Sequence, residues 1–355
     1  MYKILVINPG STSTKLAIYD KGKPPVENTI RHDIEKIRQF PNISSQLTFR
    51  KEVILEWLNN INVPVASFDA IVTRGGLVKP LVSGAYLVNE AMLADLRAAK
   101  YGEHACNLGA LIAYDLAKNH SIPCYTVDPA VVDELEPVAR LSGNPLFERR
   151  TTFHALNQKA VARRAARDLG KRYDECNLVV AHLGGGITVG AHHKGCVIDV
   201  NNGVEGEGAF TPERSGGLPA AQLVELCFGG KYTKPEILRM IMGGGGVSAY
   251  LGVTDMRQVE ELMEQGDKRA ALIFEGMGYQ VAKEIGAYTA AIGEKVDAIV
   301  LTGGIAYSSK MTDLIIARVK LFAPVLVYPG EDENGALAEG AIRVLSGEEV
   351  AKVYG

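Results

Sequence analysis

The stretch KILVINPGSTSTKLAIYDKG, residues 3–22, decides the fold of this chain. Ile4–Ile7 is a short apolar run rich in β-branched residues, which predicts a buried strand. Asn8–Thr14 is rich in glycine and hydroxyl residues and predicts a turn, and Lys15–Tyr19 alternates polar with apolar residues, as a second strand does. With a further turn at Asp20–Gly22, the chain is predicted to open with a β-hairpin.

The same design occurs again about half a chain length later. Leu178–Ala181 and Ile187–Ala191 have the composition of strands, and they flank a glycine-rich turn at His182–Gly186. His192–Gly195 then forms a turn similar to that at Asp20–Gly22. This repetition predicts an internal duplication. We expect two similar halves whose glycine-rich hairpins face each other across a cleft.

Helical patterns separate and follow the two hairpins. Apolar residues recur at a spacing of three to four in Asn89–Lys100, Asn107–Lys118 and Ala155–Leu169. Helices are also predicted at Pro219–Phe228, Gln258–Glu264, Lys268–Ile292, Asp313–Phe322 and Gly335–Leu345. Ala298–Leu301 and Val325–Tyr328 predict two more strands. The alternation of strands and helices indicates the α/β class.

The length of 355 residues is typical of two domains. We expect them at residues 1–150 and 151–334, with the boundary near Arg149-Arg150. The sequence leaves open whether the C-terminal segment 335–355, which includes the last helix, joins the first domain.

The composition excludes several classes of protein. The chain has 38 basic and 41 acidic residues, and 47% of it is apolar, which is unlike a disordered or coiled-coil protein. It has no basic excess for nucleic acid, no long apolar run for a membrane and no leader-like segment, so we expect a cytoplasmic protein. The five cysteines contain no CxxC pair, which argues against a disulfide framework and a zinc site.

Four glycine-rich turns are candidate anion sites: Gly10–Thr14, Gly184–Gly186, Gly243–Gly246 and Gly303-Gly304. Glycine lets backbone N–H groups come close to phosphate oxygens. The chain contains neither a GxxxxGK[ST] loop nor a GxGxxG turn that leads into a helix. One such turn alone is more often a plain tight turn, but four of them, two related by duplication, indicate a phosphate-binding cleft.

Six segments resemble the acetokinase family, which belongs to the superfamily of sugar kinases, Hsp70 and actin. They are Ile7–Lys15 and Ala181–Gly186 (two phosphate loops), Glu213–Gly216 (an arginine segment), Thr254–Arg257, Ile285–Tyr288 and Leu301–Ile305 (a nucleoside-binding turn). The resemblance covers nearly the whole chain and implies two duplicated RNase H-like, actin-like ATPase domains around a central nucleotide cleft. Thr73–Gly76, Tyr328–Glu333 and the short length resemble the butyrate kinase branch of the family.

The resemblance implies a reversible phosphoryl transfer from ATP to butyrate or a similar short-chain fatty acid. The products are ADP and an acyl phosphate such as butanoyl phosphate, and the reaction is an in-line transfer to the carboxylate. Mg²⁺ is the implied cofactor, ATP is a co-substrate, and the implied assembly is a homo-oligomer built from dimers. No nucleic acid or membrane is implied.

Other functions stay open. Acetate, propionate and branched acids are alternative substrates, because each buried CH₂ contributes only about 0.8 kcal/mol. A non-catalytic sensor of ATP and carboxylate on the same fold is a second alternative. A nucleotide-driven clamp of the Hsp70 or actin kind would need an additional partner-binding segment, which the sequence does not show.

The resemblance assigns four catalytic residues: His154, Arg214, Asp128 and Arg74. The planar fork of Arg214 suits the oxygens of a phosphoryl group, and His154 would donate a hydrogen bond, because an ionised carboxylate needs no general base. Asp128 would lie beside the metal. Arg74 stands at a position where acetate kinases have histidine, and it would bind the carboxylate in place of an arginine at the position of Ile71. Surface, core or helix-capping roles are the alternatives for these residues.

The remaining site residues also come from the resemblance. Those for nucleotide and phosphate are Asn8, Gly10, Ser11, Thr12, Ser13, Thr14, Lys15, His182, Gly184, Gly185, Gly186, Asp255, Arg257, Gly303, Gly304 and Ile305. Arg74 and Phe153 would line the substrate pocket, and Asn8 and Asp128 would hold the metal. Where acetate kinases carry a metal-side glutamate this chain has Tyr307. Glu331, Asp332 or Glu333 could replace it, and Glu331 is the candidate taken here.

Overall fold

A computed structural model of the chain describes residues 2–20 and 22–355. The turn predicted at Asp20–Gly22 includes Lys21, which lies outside the described residues. The chain divides into two compact units. Unit 1 combines Met1–Val132 with Asp332–Gly355, and unit 2 is Asp133–Glu331.

Strands and helices alternate along the described residues. The strands are β1 Lys3–Pro9, β2 Ser13–Asp20, β3 Val26–Arg31, β4 Ala70–Arg74, β5 Ala85–Leu87, β6 Cys124–Val127, β7 Asn177–Leu183, β8 Ile187–His193, β9 Cys196–Val200, β10 Ala298–Gly303, β11 Val325–Pro329 and β12 Lys352–Val353. The helices are α1 Ile34–Arg38, α2 Leu47–Asn60, α3 Glu90–Arg97, α4 Asn107–Ala117, α5 Ala155–Asp168, α6 Ala220–Phe228, α7 Lys234–Ile241, α8 Gly246–Leu251, α9 Met256–Glu264, α10 Lys268–Ile292, α11 Ser309–Val319 and α12 Glu333–Leu345.

The two units share one sheet topology. The sheet of unit 1 has the order β12-β5-β6-β4-β1-β2-β3, and that of unit 2 has the order β11-β10-β7-β8-β9. Three successive antiparallel strands begin each sheet, and the first of them then pairs in parallel with a later strand, β4 or β10. The predicted α/β class with two similar halves is therefore confirmed.

The central strands are apolar on both faces because helices cover both sides of the sheet. In β7 the alternate residues Val179, Ala181 and Leu183 pack with the core that includes α10 and α11. Leu178 and Val180 point to the other face, where they pack with alanines of α5. β7 and β10 pair in parallel with His182 opposite Thr302, so the turn after β7 lies beside the end of β10.

The units do not divide where the sequence suggested. Residues 133–150 belong with unit 2, because Arg149 forms ion pairs with Asp199 at 2.9 Å and with Glu207 at 3.2 Å. The segment from Asp332 returns to unit 1, where α12 packs on β1, β4 and β6. A Cβ atom at Gly340 would lie 2.6 Å from the side chain of Val127, so a glycine lets α12 approach the sheet closely.

All eight predicted helices are present with ends moved by a few residues, whereas α1, α2, α7 and α8 were not predicted. The largest shift at a start is in α11, which begins at Ser309 because the Ser308 side chain accepts a hydrogen bond from the N–H of Met311. Among the described residues, no helix combines the length and the apolar character needed to cross a membrane.

Candidate active site

The first glycine-rich turn joins β1 to β2 in unit 1 and lies on a buried arginine. Arg50 of α2 is only 1% exposed, and its guanidinium donates to the carbonyl oxygens of Gly10 at 2.8 Å, Ser13 at 3.1 Å and Ser11 at 2.9 Å. The N–H of His32 donates to the Thr12 carbonyl at 2.9 Å. Because these carbonyls all bind protein donors, the backbone groups that the exposed tip of the turn can offer an anion are N–H groups.

Neutral groups surround the Arg50 guanidinium. It donates to Gln46 Oε1 at 2.9 and 3.0 Å and to Thr14 Oγ1 at 3.3 Å. Among the described residues no carboxylate lies within ion-pair distance of it. Burial lowers the pKa of Arg50 to about 10, so it stays a cation near neutral pH. A buried arginine with no acidic partner is unusual and places a positive charge beneath the turn.

A glutamate that begins α12 connects three predicted residues in unit 1. Asn8 Nδ2 donates to Glu333 Oε2 at 2.9 Å, Arg74 Nη1 lies 3.0 Å from Oε1, and Lys15 Nζ lies 3.9 Å from Oε2. Asn8 and Arg74 meet there because β1 and β4 are parallel neighbours, and both residues lie at the carboxyl ends of these strands. The expected carboxylate contact of Arg74 is thus occupied by a protein carboxylate, although a guanidinium has further donors.

Asp128 follows β6 and is buried with a positive φ of 39°. Its Oδ1 accepts hydrogen bonds from Ser83 Oγ at 2.7 Å and from the N–H of Gly84 at 2.8 Å. No α-helix begins in the described residues directly after β6, so the helix-capping alternative for Asp128 is wrong. Buried and strained, the carboxylate is held in one orientation.

The side chains of Asn8, Asp128 and Glu333 carry oxygen atoms of the kind that Mg²⁺ prefers as ligands. Mg²⁺ uses one or two carboxylates, keeps several waters and takes its other ligands from substrate phosphates. Within residues 2–20 and 22–355 no cluster of three or more His, Cys, Asp or Glu is placed to hold a metal alone. Glu331, the candidate taken from the sequence, has its carboxylate 3.9 Å from His182 Nε2, whereas it is Glu333 that bonds Asn8.

The second glycine-rich turn joins β7 to β8 in unit 2 and has an arginine on its surface. The N–H of Gly184 donates to the Gly186 carbonyl at 3.1 Å, and Thr211 Oγ1 donates to the Gly185 carbonyl at 2.7 Å. A Cβ at Gly186 would lie 2.3 Å from Arg214 Nη1, so the guanidinium rests directly on this glycine. Only glycine permits this approach.

Arg214 has a donor that no described residue satisfies. Its Nη1 donates to the Gly203 carbonyl, but its buried Nε has no hydrogen-bond partner. Burial lowers the pKa of Arg214, because little solvent is left to stabilise the cation. A half-buried guanidinium that bonds one described carbonyl has donors left for an anion beside the glycine turn.

The third glycine turn, Gly243–Gly246, supports the segment that carries Arg214. The N–H groups of Gly243 and Gly245 both donate to the Glu213 carbonyl, at 2.8 and 3.2 Å. A Cβ at Gly246 would lie 1.8 Å from the Thr211 carbonyl oxygen. These N–H groups are already used by the protein, so the expectation of an anion site at this turn is not met there.

Two histidines predicted from the sequence are stacked in unit 2. The rings of His154 and His182 lie 3.8 Å apart between centroids at an interplanar angle of 9°. His154 Nδ1 is 2.8 Å from Thr188 Oγ1, and His182 Nδ1 is 2.8 Å from Asn157 Oδ1. Phe153, next to His154, is buried at 4% exposure, and its place in an acyl pocket stays a prediction.

A cavity of about 730 Å³ in unit 2 has the size of a nucleoside site. Six predicted residues line it: Gly184, Gly185, Asp255, Arg257, Gly304 and Ile305. The sequence did not assign its other wall residues, which are Pro212, Thr254, Met256, Glu260, Glu261, Glu264, Tyr307 and Ser308. Tyr307 and Ser308 could have been found, because they come only three and four residues after Gly304 in the turn at the end of β10.

The neighbours of two residues near this cavity, Gly303 and Arg257, explain the conformation of each. Gly303 has φ +89°, and a Cβ there would lie 2.4 Å from the Leu183 carbonyl oxygen, so β10 must end in glycine beside the second turn. Arg257 is highly exposed and forms an ion pair with Asp255 at 2.6 Å. The nucleotide-binding role of Arg257 stays a prediction.

The chain matches a known protein family in sequence and several solved structures in fold. Residues 78–340 match the acetokinase family. An acetate kinase from Porphyromonas gingivalis has a similar structure, with 22% identity, a TM-score of 0.80, and coverage of 97% of this chain and 100% of that chain. A propionate kinase from Francisella tularensis subsp. tularensis gives 20% identity and a TM-score of 0.74 over 96% and 99% of the two chains. An acetate kinase from Entamoeba histolytica gives 16% identity and 0.73 over the same shares.

Proposed function

The chain belongs to the acetokinase family, and on this premise we propose that it transfers the γ-phosphoryl group of ATP to butyrate or a similar short-chain fatty acid. Members of this family are kinases that phosphorylate carboxyl groups and use ATP with a divalent metal, generally Mg²⁺. The products would be ADP and an acyl phosphate, and the reaction would be reversible. The preference for butyrate rests on the segments Thr73–Gly76 and Tyr328–Glu333.

The observation that carries the proposal is the unsatisfied Arg214 guanidinium on the second glycine turn. In phosphoryl transfer the group in flight carries negative charge on three equatorial oxygens, and catalysis depends on positioning and on positive charge around it. We assign Arg214 to those oxygens, with His154 as a hydrogen-bond donor to the same group. An ionised fatty acid attacks phosphorus without a general base.

The other residues have binding roles in this proposal. The turn from Gly10 to Thr14, with Lys15, binds phosphate in unit 1, and the second turn, with His182, does so in unit 2. The cavity beside Gly304 takes the nucleoside. Arg74 orients the acceptor carboxylate. Asn8, Asp128 and Glu333 would hold Mg²⁺, which neutralises charge on the phosphate oxygens when bound. Glu333 would supply the metal-side carboxylate that this chain lacks at Tyr307.

Acyl phosphate formation tests the proposal directly. The protein is incubated with ATP, Mg²⁺ and one carboxylic acid of two to five carbons, and acyl phosphate is trapped with hydroxylamine as the hydroxamate. We expect product with butyrate. Calorimetric binding of ATP and acid with no product from any of these acids would favour the sensor and refute the kinase.

Chain length is tested in the same assay. Two methylenes contribute about 1.6 kcal/mol, so kcat/KM for butyrate should exceed that for acetate by roughly 15-fold. Propionate, valerate and isobutyrate should fall close to butyrate, because an apolar pocket discriminates weakly between neighbours. An optimum at acetate would contradict the proposed substrate and leave the kinase intact. Assembly from dimers and a cytoplasmic location stay predictions of the sequence.

A further inference from the structure

A row of hydrogen-bonded side chains leads through unit 2 to His154. Tyr173 Oη lies 2.8 Å from His192 Nδ1, and His192 Nε2 lies 3.0 Å from Gln158 Oε1. Gln158 Nε2 lies 2.9 Å from Thr188 Oγ1, which is 2.8 Å from His154 Nδ1. The three middle residues are fully buried, so water does not compete for their donors and acceptors.

The orientation of the Gln158 amide determines which atom donates in each hydrogen bond of this row. Gln158 Nε2 also lies 2.9 Å from the backbone carbonyl oxygen of Thr188. A carbonyl oxygen only accepts hydrogen bonds, so the amide nitrogen must face it and Oε1 must face His192. Because Oε1 also only accepts hydrogen bonds, His192 Nε2 carries a proton and donates a hydrogen bond to Gln158 Oε1.

The outer part of the row follows from the charge of His192. Complete burial, with Lys159 and Arg163 nearby, lowers the pKa of His192 well below its usual range, so its ring is neutral. With its proton on Nε2, the ring has a lone pair on Nδ1. The Tyr173 hydroxyl therefore donates a hydrogen bond to His192 Nδ1.

The inner part of the row fixes the tautomer of His154. Thr188 Oγ1 accepts a hydrogen bond from Gln158 Nε2, so its own hydroxyl must donate a hydrogen bond to another partner. That partner is His154 Nδ1, the other group that the buried hydroxyl contacts. Nδ1 is then an acceptor, and the proton of a neutral His154 is on Nε2.

We propose that Gln158 and Thr188, backed by His192 and Tyr173, are positioning residues that hold His154 as the neutral Nε2–H tautomer. This inference rests on the proposed function, in which His154 meets the transferring phosphoryl group as a hydrogen-bond donor. The flat stack against His182 fixes the plane of the ring, and Thr188 fixes which nitrogen donates. An Nδ1–H tautomer would turn an acceptor towards phosphate oxygens, which are themselves acceptors.

The test is ¹⁵N NMR of the whole protein with labelled histidine, in which the His154 signals are identified by their loss in His154→Gln. In the unmodified protein we expect Nε2 protonated and Nδ1 unprotonated. Thr188→Val removes the hydroxyl at similar volume and should let the Nδ1–H tautomer form. Thr188→Ser keeps the hydroxyl and should keep the original signature.

Kinetics provide the second readout. Thr188→Val should lower kcat by roughly 10–100-fold, as loss of an orienting partner typically does, with a much smaller change in KM for ATP. Thr188→Ser should restore most of kcat. Thr289→Val on α10 removes a half-buried threonine hydroxyl, which donates to the Ile285 carbonyl of the same helix, and should leave kcat close to normal as a control for folding.

The outcomes separate the two proposals. An active protein whose His154 carries its proton on Nδ1, or a Thr188→Val variant with the original signature and full kcat, would overturn this inference alone. A protein with the expected tautomer and no acyl phosphate from any acid would overturn the proposed function alone.

Discussion

The two glycine-rich turns have the same place in the topology of the two units, but each uses its arginine differently. In unit 1, Arg50 lies under the first turn and donates hydrogen bonds to the carbonyls of Gly10, Ser11 and Ser13. In unit 2 the neutral Thr211 holds the second turn, and Arg214 lies on Gly186 with its Nε unsatisfied. A duplicated hairpin thus has its turn carbonyls bound by a buried cation in one half, whereas in the other half a cation with an unsatisfied donor lies against its glycine.

The largest effect should come from removing the available cation. Arg214→Ala should lower kcat by about 10³–10⁵, because an arginine that stabilises the transferring phosphoryl group typically contributes that much. Arg214→Lys should recover little of it, since an ammonium lacks the planar fork. Hydroxamate formation measures the rate, and calorimetry with ATP checks that nucleotide still binds. Full turnover in Arg214→Ala would contradict both the comparison of the turns and the proposed function.

The cation beneath the first turn should act on binding and stability instead. Arg50→Met would leave the carbonyls of Gly10 and Ser11 and Gln46 Oε1 without the donor they have from Arg50, at about 1–3 kcal/mol for each group that stays buried. We expect a lower midpoint of unfolding and a raised KM for ATP, with a smaller change in kcat. The single tryptophan, Trp57, lies on α2 with Arg50, so its fluorescence reports unfolding where the change is made.

Arg50→Lys is the matched control for that experiment. It retains the charge but offers fewer and differently placed donors, so it should recover part of the stability. A variant Arg50→Met that is destabilised but binds ATP with unchanged KM would show that Arg50 holds the fold and does not shape the turn for phosphate.

The residues that were predicted and those that were missed differ in how far their partners lie along the chain. The hairpins, the α/β class and the residues of the second turn follow from local patterns of strands and glycines. Arg50 was missed because its burial depends on turn carbonyls about forty residues away, and an isolated arginine is typical of a surface. Glu333 could not be distinguished from Glu331 and Asp332, because only the return of α12 to unit 1 brings it to Asn8.

A smaller effect is expected from adding a methyl group to the second turn. In Gly186→Ala the new Cβ would overlap Arg214 Nη1, so the guanidinium must move. A displacement of about 1 Å can cost around 100-fold in rate, so we expect a loss of kcat of that order or less. The matched variant in unit 1 is Gly10→Ala, whose Cβ would meet Ser13 Oγ at an ordinary 3.5 Å. It should lose less, and equal losses would show that Arg214 is not what distinguishes the turns.

The smallest effect concerns pH and the first turn. His32 Nε2 is 2.8 Å from Thr14 Oγ1, and burial, with the charges of Arg50 and Lys36, lowers the pKa of His32 to about 4. An unfolded histidine has a pKa near 6.5, so the unfolded chain takes up a proton that the folded chain refuses as pH falls from about 6.5 to 4. The free energy of unfolding, followed by Trp57 fluorescence in urea, should therefore fall through this window. His32→Gln should reduce that fall. If the variant has the same pH profile as the unmodified protein, His32 takes up its proton in the folded state as readily as in the unfolded state. The first turn would then accommodate a second cation beside Arg50.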